Sequence, residues 1–171
     1  MLDVLPRYRN PFAIAADRLD PNSERAQLDR EREAAYADVR TFARHAHIQD
    51  DQGTEIGFAK VGWAWQFALL ALWAVTKLSV TLKARQLGVS WLAAIYALWT
   101  AIRRSGQSVL LISLRQDDAD KLLGKVAYVY ARLPAWKPRA LVSTRSIRFP
   151  GIGSEIESMP ATENIGRSRT V

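Results

Sequence analysis

The 171-residue sequence predicts an α/β fold, in which a parallel sheet with flanking helices follows an N-terminal helix. Residues 79–83 and 109–114 are short β-branched or aliphatic runs typical of buried strands, and an apolar helical run, residues 90–104, separates them. Strand, helix and strand at this spacing indicate a parallel βαβ unit. A hydrophobic content of 49% excludes a disordered chain and is enough for a packed core.

The N-terminal part predicts one exposed, charge-rich helix over residues 22–46, with Asn22 or Ser23 as its cap. Its apolar residues recur at near-helical spacing, so one stripe can dock on the rest of the chain. Residues 49–57 are polar and predict a hinge. We therefore expect an N-terminal helical segment and hinge, residues 1–57, and a second domain, residues 58–171.

Residues 61–76 are apolar except for Gln66 and Thr76 and hold three of the six tryptophans. As a helix they would span about 24 Å, short of the ~30 Å hydrocarbon core of a bilayer, and a central glutamine suits lipid poorly. The sequence therefore predicts a buried amphipathic or core helix and no membrane association. The alternative is a small membrane-associated protein that uses residues 61–76. Trp91 and Trp99 in the next apolar run are expected in the core.

Further along, residues 116–132 begin with acids and end with bases, which is typical of a helix, and Pro134 ends it. Residues 140–149 and 154–159 alternate apolar with polar side chains around the turn sequence PGIG, which predicts a β-hairpin. The remaining residues predict a loop.

The composition excludes some kinds of site and bears on the charge of a binding partner. The chain has no cysteine, which excludes disulfides and cysteine-ligated metals, and its two histidines, His45 and His47, would point apart on a helix and favour helix-end or surface positions over metal ligation. The first 50 residues hold 8 basic and 9 acidic residues, whereas residues 51–171 hold 16 and 8. The net charge of +7 therefore belongs to the second part and is compatible with a polyanionic partner or with a generic basic surface.

Residues 79–91, SVTLKARQLGVSW, carry the strongest functional pattern, because a strand, a tight loop and a helix start together form a phosphate site. Lys83, Arg85, Gly88 and Ser90 supply suitable side chains. The pattern departs from the standard phosphate-binding loop GxxxxGK followed by Ser or Thr. Val89 stands where the lysine should be, and Lys83 stands at the first glycine position.

Three segments, LKARQLGVSWLAAIYAL, VLLISLRQDDADKLLGKV and IESMPATENIGRSRTV, occur in the order found in phage terminases. Over about residues 5–171 the chain resembles the N-terminal ATPase portion of a terminase large subunit. The resemblance implies an incomplete P-loop NTPase (RecA-like) domain in residues 58–171 and a motor that binds ATP and Mg²⁺ to package double-stranded DNA into a procapsid. It also implies partnership with the terminase small subunit and portal protein, homo-oligomers at full length and a place in the cytoplasm of the bacterial host.

The resemblance makes Lys83 the displaced phosphate-binding lysine, since several members place it at the start of the motif. Ser90 would coordinate Mg²⁺, and Gly88 would let the backbone approach phosphate. The alternatives are a strand-end surface lysine at residue 83 and a simple helix cap at Ser90.

Arg85 matches the arginine of the family's loop and would act as an in-chain arginine finger, the one catalytic role that the resemblance implies. A structural ion pair is its alternative. Gln86 is expected to contact the loop's ligand, and Gln66 matches the family's adenine-recognition glutamine. For Gln66 the alternative is a helix-surface amide.

Hydrolysis also needs carboxylates for the metal and the attacking water, which in the family end a buried strand as Asp-Glu. Glu155 and Glu157 are predicted in a hairpin strand and Glu163 in a loop, so we expect a fragment without hydrolysis of its own and of marginal stability. It would be a truncated or degenerate prophage copy or one piece of a split gene. The alternative function is a noncatalytic nucleic-acid-binding or interaction fragment, with a basic surface at Arg145, Arg148, Arg167 and Arg169.

Overall fold

A computed structural model describes residues 23–161. Its helices are α1 (Glu24–Ala37), α2 (Val39–Arg44), α3 (Phe58–Val61), α4 (Ala64–Val75), α5 (Val89–Ile102) and α6 (Gln116–Arg132). Its strands are β1 (His47–Gln49), β2 (Glu55–Gly57), β3 (Ser108–Ser113), β4 (Leu141–Val142), β5 (Ser146–Phe149) and β6 (Ser154–Pro160). The described chain is therefore mixed α/β, as the sequence predicts.

Two helices replace the single N-terminal helix predicted for residues 22–46. Ser23 caps α1 by accepting a hydrogen bond from the backbone N–H of Ala26, at 3.2 Å. The helix stops because Asp38 adopts an extended backbone (φ −133°), and the Asp38 carboxylate then accepts from the N–H groups of Arg40 and Thr41 to begin α2. The cap at Ser23 is confirmed, whereas one continuous helix is wrong.

The predicted hinge is a β-hairpin. Strands β1 and β2 pair antiparallel, with His47 opposite Gly57. Asp50 closes the turn by accepting hydrogen bonds from the N–H groups of Gln52 and Thr54. A run of polar residues suggested flexibility, but here their side chains form the turn.

The main sheet has four strands in the order β3-β6-β5-β4. Strands β3 and β6 are parallel, while β5 pairs antiparallel with both β6 and β4. The predicted hairpin is confirmed as β5 and β6, although residues 140–149 divide into β4 and β5 with a turn between them.

The predicted strand at residues 79–83 is wrong, and so is the βαβ unit that it was to begin. The segment is neither helix nor strand and pairs with no described strand, and the parallel partner of β3 is β6. Its β-branched composition favours a strand, but composition alone does not make one. A strand also needs a neighbour for its N–H and C=O groups, and none of the described strands provides one.

Helix α5 is the centre of the core, as predicted, and packs against α6 and the sheet. Trp91 and Trp99 are buried, and the Trp99 indole donates to the carbonyl of Ala35 at 3.1 Å, which joins α1 to α5. Helix α6 has the predicted bounds and charge order, with Asp117 and Asp118 in its first turn and Arg132 in its last.

The tryptophan-rich run is two helices, α3 and α4, separated at Gly62. A Cβ at Gly62 would lie 2.8 Å from the Phe67 ring, so only glycine allows this close approach. Only Gln66 and Leu70 of α4 are buried, so a fully buried helix is wrong. Within residues 23–161, no helix combines the length and apolar character needed to cross a membrane.

Candidate phosphate-binding loop

The loop before α5 is a tight turn with two left-handed residues, Gln86 (φ 62°) and Gly88 (φ 71°). Gly88 caps α5, and its carbonyl accepts the N–H groups of Trp91 and Leu92 at 2.9 and 3.2 Å. The first N–H groups of a helix have no intrahelical partner and carry the positive end of the helix dipole. The turn thus leaves the N-terminus of α5 open to solvent, as an anion-binding site requires.

Gly88 is required for two reasons. Its left-handed backbone strains any residue with a Cβ, and an added Cβ would lie 3.1 Å from Nε2 of Gln66. The loop therefore sits directly on the Gln66 amide.

Gln66 braces the loop from beneath. It is only 8% exposed. Its Oε1 accepts the N–H of Trp63 at 2.9 Å, and its Nε2 donates to the carbonyl of Leu87 at 3.1 Å. A helix-surface amide is therefore the wrong alternative. One amide joins the start of α4 to the loop, a role that spacing in the sequence did not indicate.

The polar side chains of the loop face solvent. Lys83, Arg85, Gln86 and Ser90 are all exposed. Ser90 is not the cap of α5, since Gly88 holds that position, so the capping alternative is wrong. Among residues 23–161 no carboxylate lies within ion-pair distance of Lys83 or Arg85. Two cations and a hydroxyl thus remain available to an anion around the start of α5.

An apolar cavity of about 510 Å³ adjoins the loop. One wall is the outer face of α4, with Trp65, Leu69 and Leu72, and the other includes Leu82 and Lys83. Its volume lies in the range of small-molecule sites, and Lys83 places a cation on its lining. Sequence reasoning missed Trp65, although the apolar outer face of α4 could have indicated it.

A second group of basic and aromatic side chains lies on α6, beside the first turn of α5. The Lys125 ammonium sits 3.9 Å above the Trp91 ring, and burial lowers the pKa of Lys125. Both residues line a cavity of about 360 Å³ with Lys121 and Tyr128. No sequence pattern indicates this group, because its members come from two helices.

A polar network joins the start of α6 to β6. The Ser158 hydroxyl donates to the Asp120 carboxylate, and Gln116 Nε2 donates to the same oxygen at 2.7 Å. The Ser158 hydrogen bond, with that from Gln116, holds the pKa of Asp120 below its usual value. Asp120 therefore joins α6 to β6, a role that its position in the sequence does not indicate.

The acidic residues of β6 lie in the sheet, as predicted. Glu155 faces Arg148 across the β5–β6 pair, with 3.9 Å between Oε2 and Nε. Glu163, Arg167 and Arg169 lie outside the described residues. His45 ends α2 and contacts Glu31 at 3.1 Å, while His47 contacts Glu55 at 2.8 Å. Within residues 23–161 no three His, Asp or Glu side chains form a group able to hold a metal.

Comparison of the chain with protein-family models and with curated protein sequences gives no match.

Proposed function

We propose that the chain is the nucleotide-binding part of a terminase-type packaging ATPase with an incomplete P-loop NTPase (RecA-like) domain. The loop at residues 83–90 carries the proposal. It combines a left-handed glycine, a helix N-terminus and exposed Lys83, Arg85 and Ser90, and these are the groups that a nucleoside triphosphate requires.

In this proposal the helix N-terminus and Lys83 bind the β- and γ-phosphates. Lys83 acts as a point charge, and Arg85 stabilises charge on the γ-phosphate. The cavity beside α4 receives the base, with Trp65 offering an aromatic surface. Gln66 holds the loop in position from below, and adenine contact remains a prediction for this residue.

Ser90 is compatible with a Mg²⁺ site, because its hydroxyl is exposed in the first turn of α5. Magnesium bound there would neutralise phosphate charge. None of the strands in residues 23–161 ends in the Asp-Glu pair that the resemblance requires for hydrolysis, so we propose nucleotide binding without hydrolysis by this chain. Packaging of double-stranded DNA, with the terminase small subunit and portal protein as partners, would require further protein.

Binding of Mg²⁺-ATP to the chain, measured by calorimetry, tests the proposal. Lys83→Ala should weaken binding at least tenfold, because it removes the phosphate cation. Lys77→Ala is the matched control, since Lys77 is also exposed and lies six residues earlier. Equal affinities in both variants, or no binding by the unaltered chain, would refute the proposal.

The noncatalytic nucleic-acid-binding alternative is favoured by the Lys121, Lys125, Trp91 and Tyr128 group, together with exposed Arg145 and Arg148. Such a surface would contact phosphates without reading bases, so binding would weaken steeply with salt. Salt-dependent binding to duplex DNA that is reduced by Lys121→Ala, in a chain without ATP affinity, would support this alternative over the first.

A further inference from the structure

Both amide atoms of Gln66 are hydrogen-bonded within the chain, and the residue is buried. A Cβ at Gly88 would lie 3.1 Å from its Nε2, so the backbone of the loop covers the amide on that side. An adenine edge needs a donor and an acceptor that face the same open space, and this amide has little open surface. Turning Gln66 toward a base would break its bonds to Trp63 and Leu87, which join α4 to the loop.

The apolar cavity beside the loop has few groups that could distinguish one base from another. Gln66 is not one of the described residues that line it. Among those residues, three side chains carry a polar group, namely the Trp65 indole N–H, the Thr81 hydroxyl and the Lys83 ammonium. The other lining side chains are alanine, leucine and valine. The cavity can therefore hold a planar ring mainly through apolar contact.

The polar groups of the cavity suit adenine and guanine equally. Both purines have an acceptor at N7 that the Trp65 indole N–H can satisfy. The Thr81 hydroxyl can accept a hydrogen bond from the adenine amino group or donate one to the guanine carbonyl. Strong discrimination requires a buried polar group that the wrong base leaves unpaired, whereas an apolar pocket rejects a ring of the same shape only weakly. The described lining residues supply no such buried group, since Thr81 and Lys83 are exposed.

We propose that the cavity accepts adenine and guanine alike, a step that rests on the nucleotide site of the proposed function. Trp65 holds the base by stacking, and Gln66 is a positioning residue that acts only through the loop. Stacking on an aromatic ring tolerates every base, because each base has a π face. The pyrimidines offer a smaller ring to Trp65, so CTP and UTP bind more weakly than ATP and GTP. The chain is then a purine nucleoside triphosphate binder without a preference for ATP.

Calorimetric titration of the full chain with Mg²⁺-ATP and with Mg²⁺-GTP tests the base tolerance directly. The two dissociation constants should differ by less than about fivefold, as expected of an apolar pocket that receives two rings of the same shape. A larger preference for either base would overturn the tolerance. If ATP is the preferred nucleotide, the proposed function still stands, whereas binding of neither nucleotide would overturn both.

Variants of Trp65 test whether the base lies in the cavity. Trp65→Ala should weaken ATP and GTP binding by about tenfold each, because it removes the stacking surface, and Trp65→Phe should restore most of the loss. Binding of inorganic tripolyphosphate, which has no base, should not change. Trp63→Ala is the matched control, since the Trp63 ring is exposed and does not line the cavity. Equal losses in Trp65→Ala and Trp63→Ala, or an equal loss for tripolyphosphate, would overturn the placement of the base.

Gln66→Leu separates positioning of the loop from contact with the base. A positioning residue affects every ligand of the loop, so ATP, GTP and inorganic tripolyphosphate should weaken by the same factor. A loss confined to ATP, or a changed ratio of the ATP and GTP affinities, would show that Gln66 contacts the base and would overturn its assignment. If Gln66→Leu does not fold, the comparison of ATP with GTP on the unaltered chain still decides whether the site distinguishes the two bases.

Discussion

The β5–β6 hairpin and residues 78–82, LSVTL, are both rich in β-branched and apolar side chains, yet they differ completely in burial. Ile147, Phe149 and Ile156 of the hairpin are 0% exposed, whereas Val80 and Leu82 are more than 90% exposed. The hairpin supplies its own neighbour through a four-residue turn, while residues 78–82 have no neighbour among the described strands. The two stretches therefore share a composition but not a structure, because a strand also needs a partner beside it.

The sharpest test of this comparison is a pair of truncations, one in each stretch. Ile156→Ala should lower the free energy of unfolding by about 2–5 kcal/mol, because it leaves a cavity in the packed core. Leu82→Ala should change it by less than about 0.5 kcal/mol, since the side chain is already in water. Urea denaturation measures both free energies, and equal losses would show that residues 78–82 are packed in solution.

Gln66 allows the same comparison within the phosphate-binding loop. The polar side chains of the loop are exposed, whereas its Leu87 carbonyl is hydrogen-bonded to the buried Gln66 amide. Gln66→Leu keeps most of the volume but leaves the Trp63 N–H and the Leu87 carbonyl without their partner. The expected cost is about 1–3 kcal/mol in the free energy of unfolding. Backbone hydrogen exchange should accelerate at the start of α4 and in the loop while β5 and β6 stay protected. Uniform acceleration through the sheet would contradict a local brace.

Gly88 tests whether the loop needs its left-handed backbone as well as its hydrogen bond to Gln66. Gly88→Ala should destabilise the chain by about 1–2 kcal/mol, since it forces a Cβ into a left-handed conformation and against Gln66. It should also weaken ATP binding. Gly124→Ala is the matched control, because a Cβ there meets nothing within 4 Å and the residue lies within α6. That change should stabilise the chain by about 0.5–1 kcal/mol, and thermal unfolding of both variants checks the opposite signs.

Elements with local signals could be predicted from the sequence. Helix α6 has its charge order and a proline after its end, and the β5–β6 turn has its glycines, so both were predicted almost to the residue. Strand pairing could not be predicted in the same way, because the paired residues of β3 and β6, such as Ser108 and Glu155, lie 47 positions apart in the sequence. At the candidate site the loop residues were identified from their spacing. The brace from Gln66 and the Trp65 wall depend on where α4 packs, which no local pattern encodes.

The hydrogen bonds of Asp120 allow a smaller test, which concerns the contact between α6 and the paired strand β6. Because its folded pKa is lowered, the Asp120 carboxylate stabilises the fold above the ordinary aspartate pKa of about 4, and this contribution is lost as the pH falls through the folded pKa. Asp120→Asn should therefore lower the melting temperature at pH 7 and flatten its decline below pH 4. Asp118→Asn, on the exposed side of the same helix turn, is the control and should preserve the original acid profile. If both variants follow the unaltered chain at acid pH, the hydrogen bonds from Ser158 and Gln116 do not hold α6 on β6. Apolar packing would then be what holds α6 against β6.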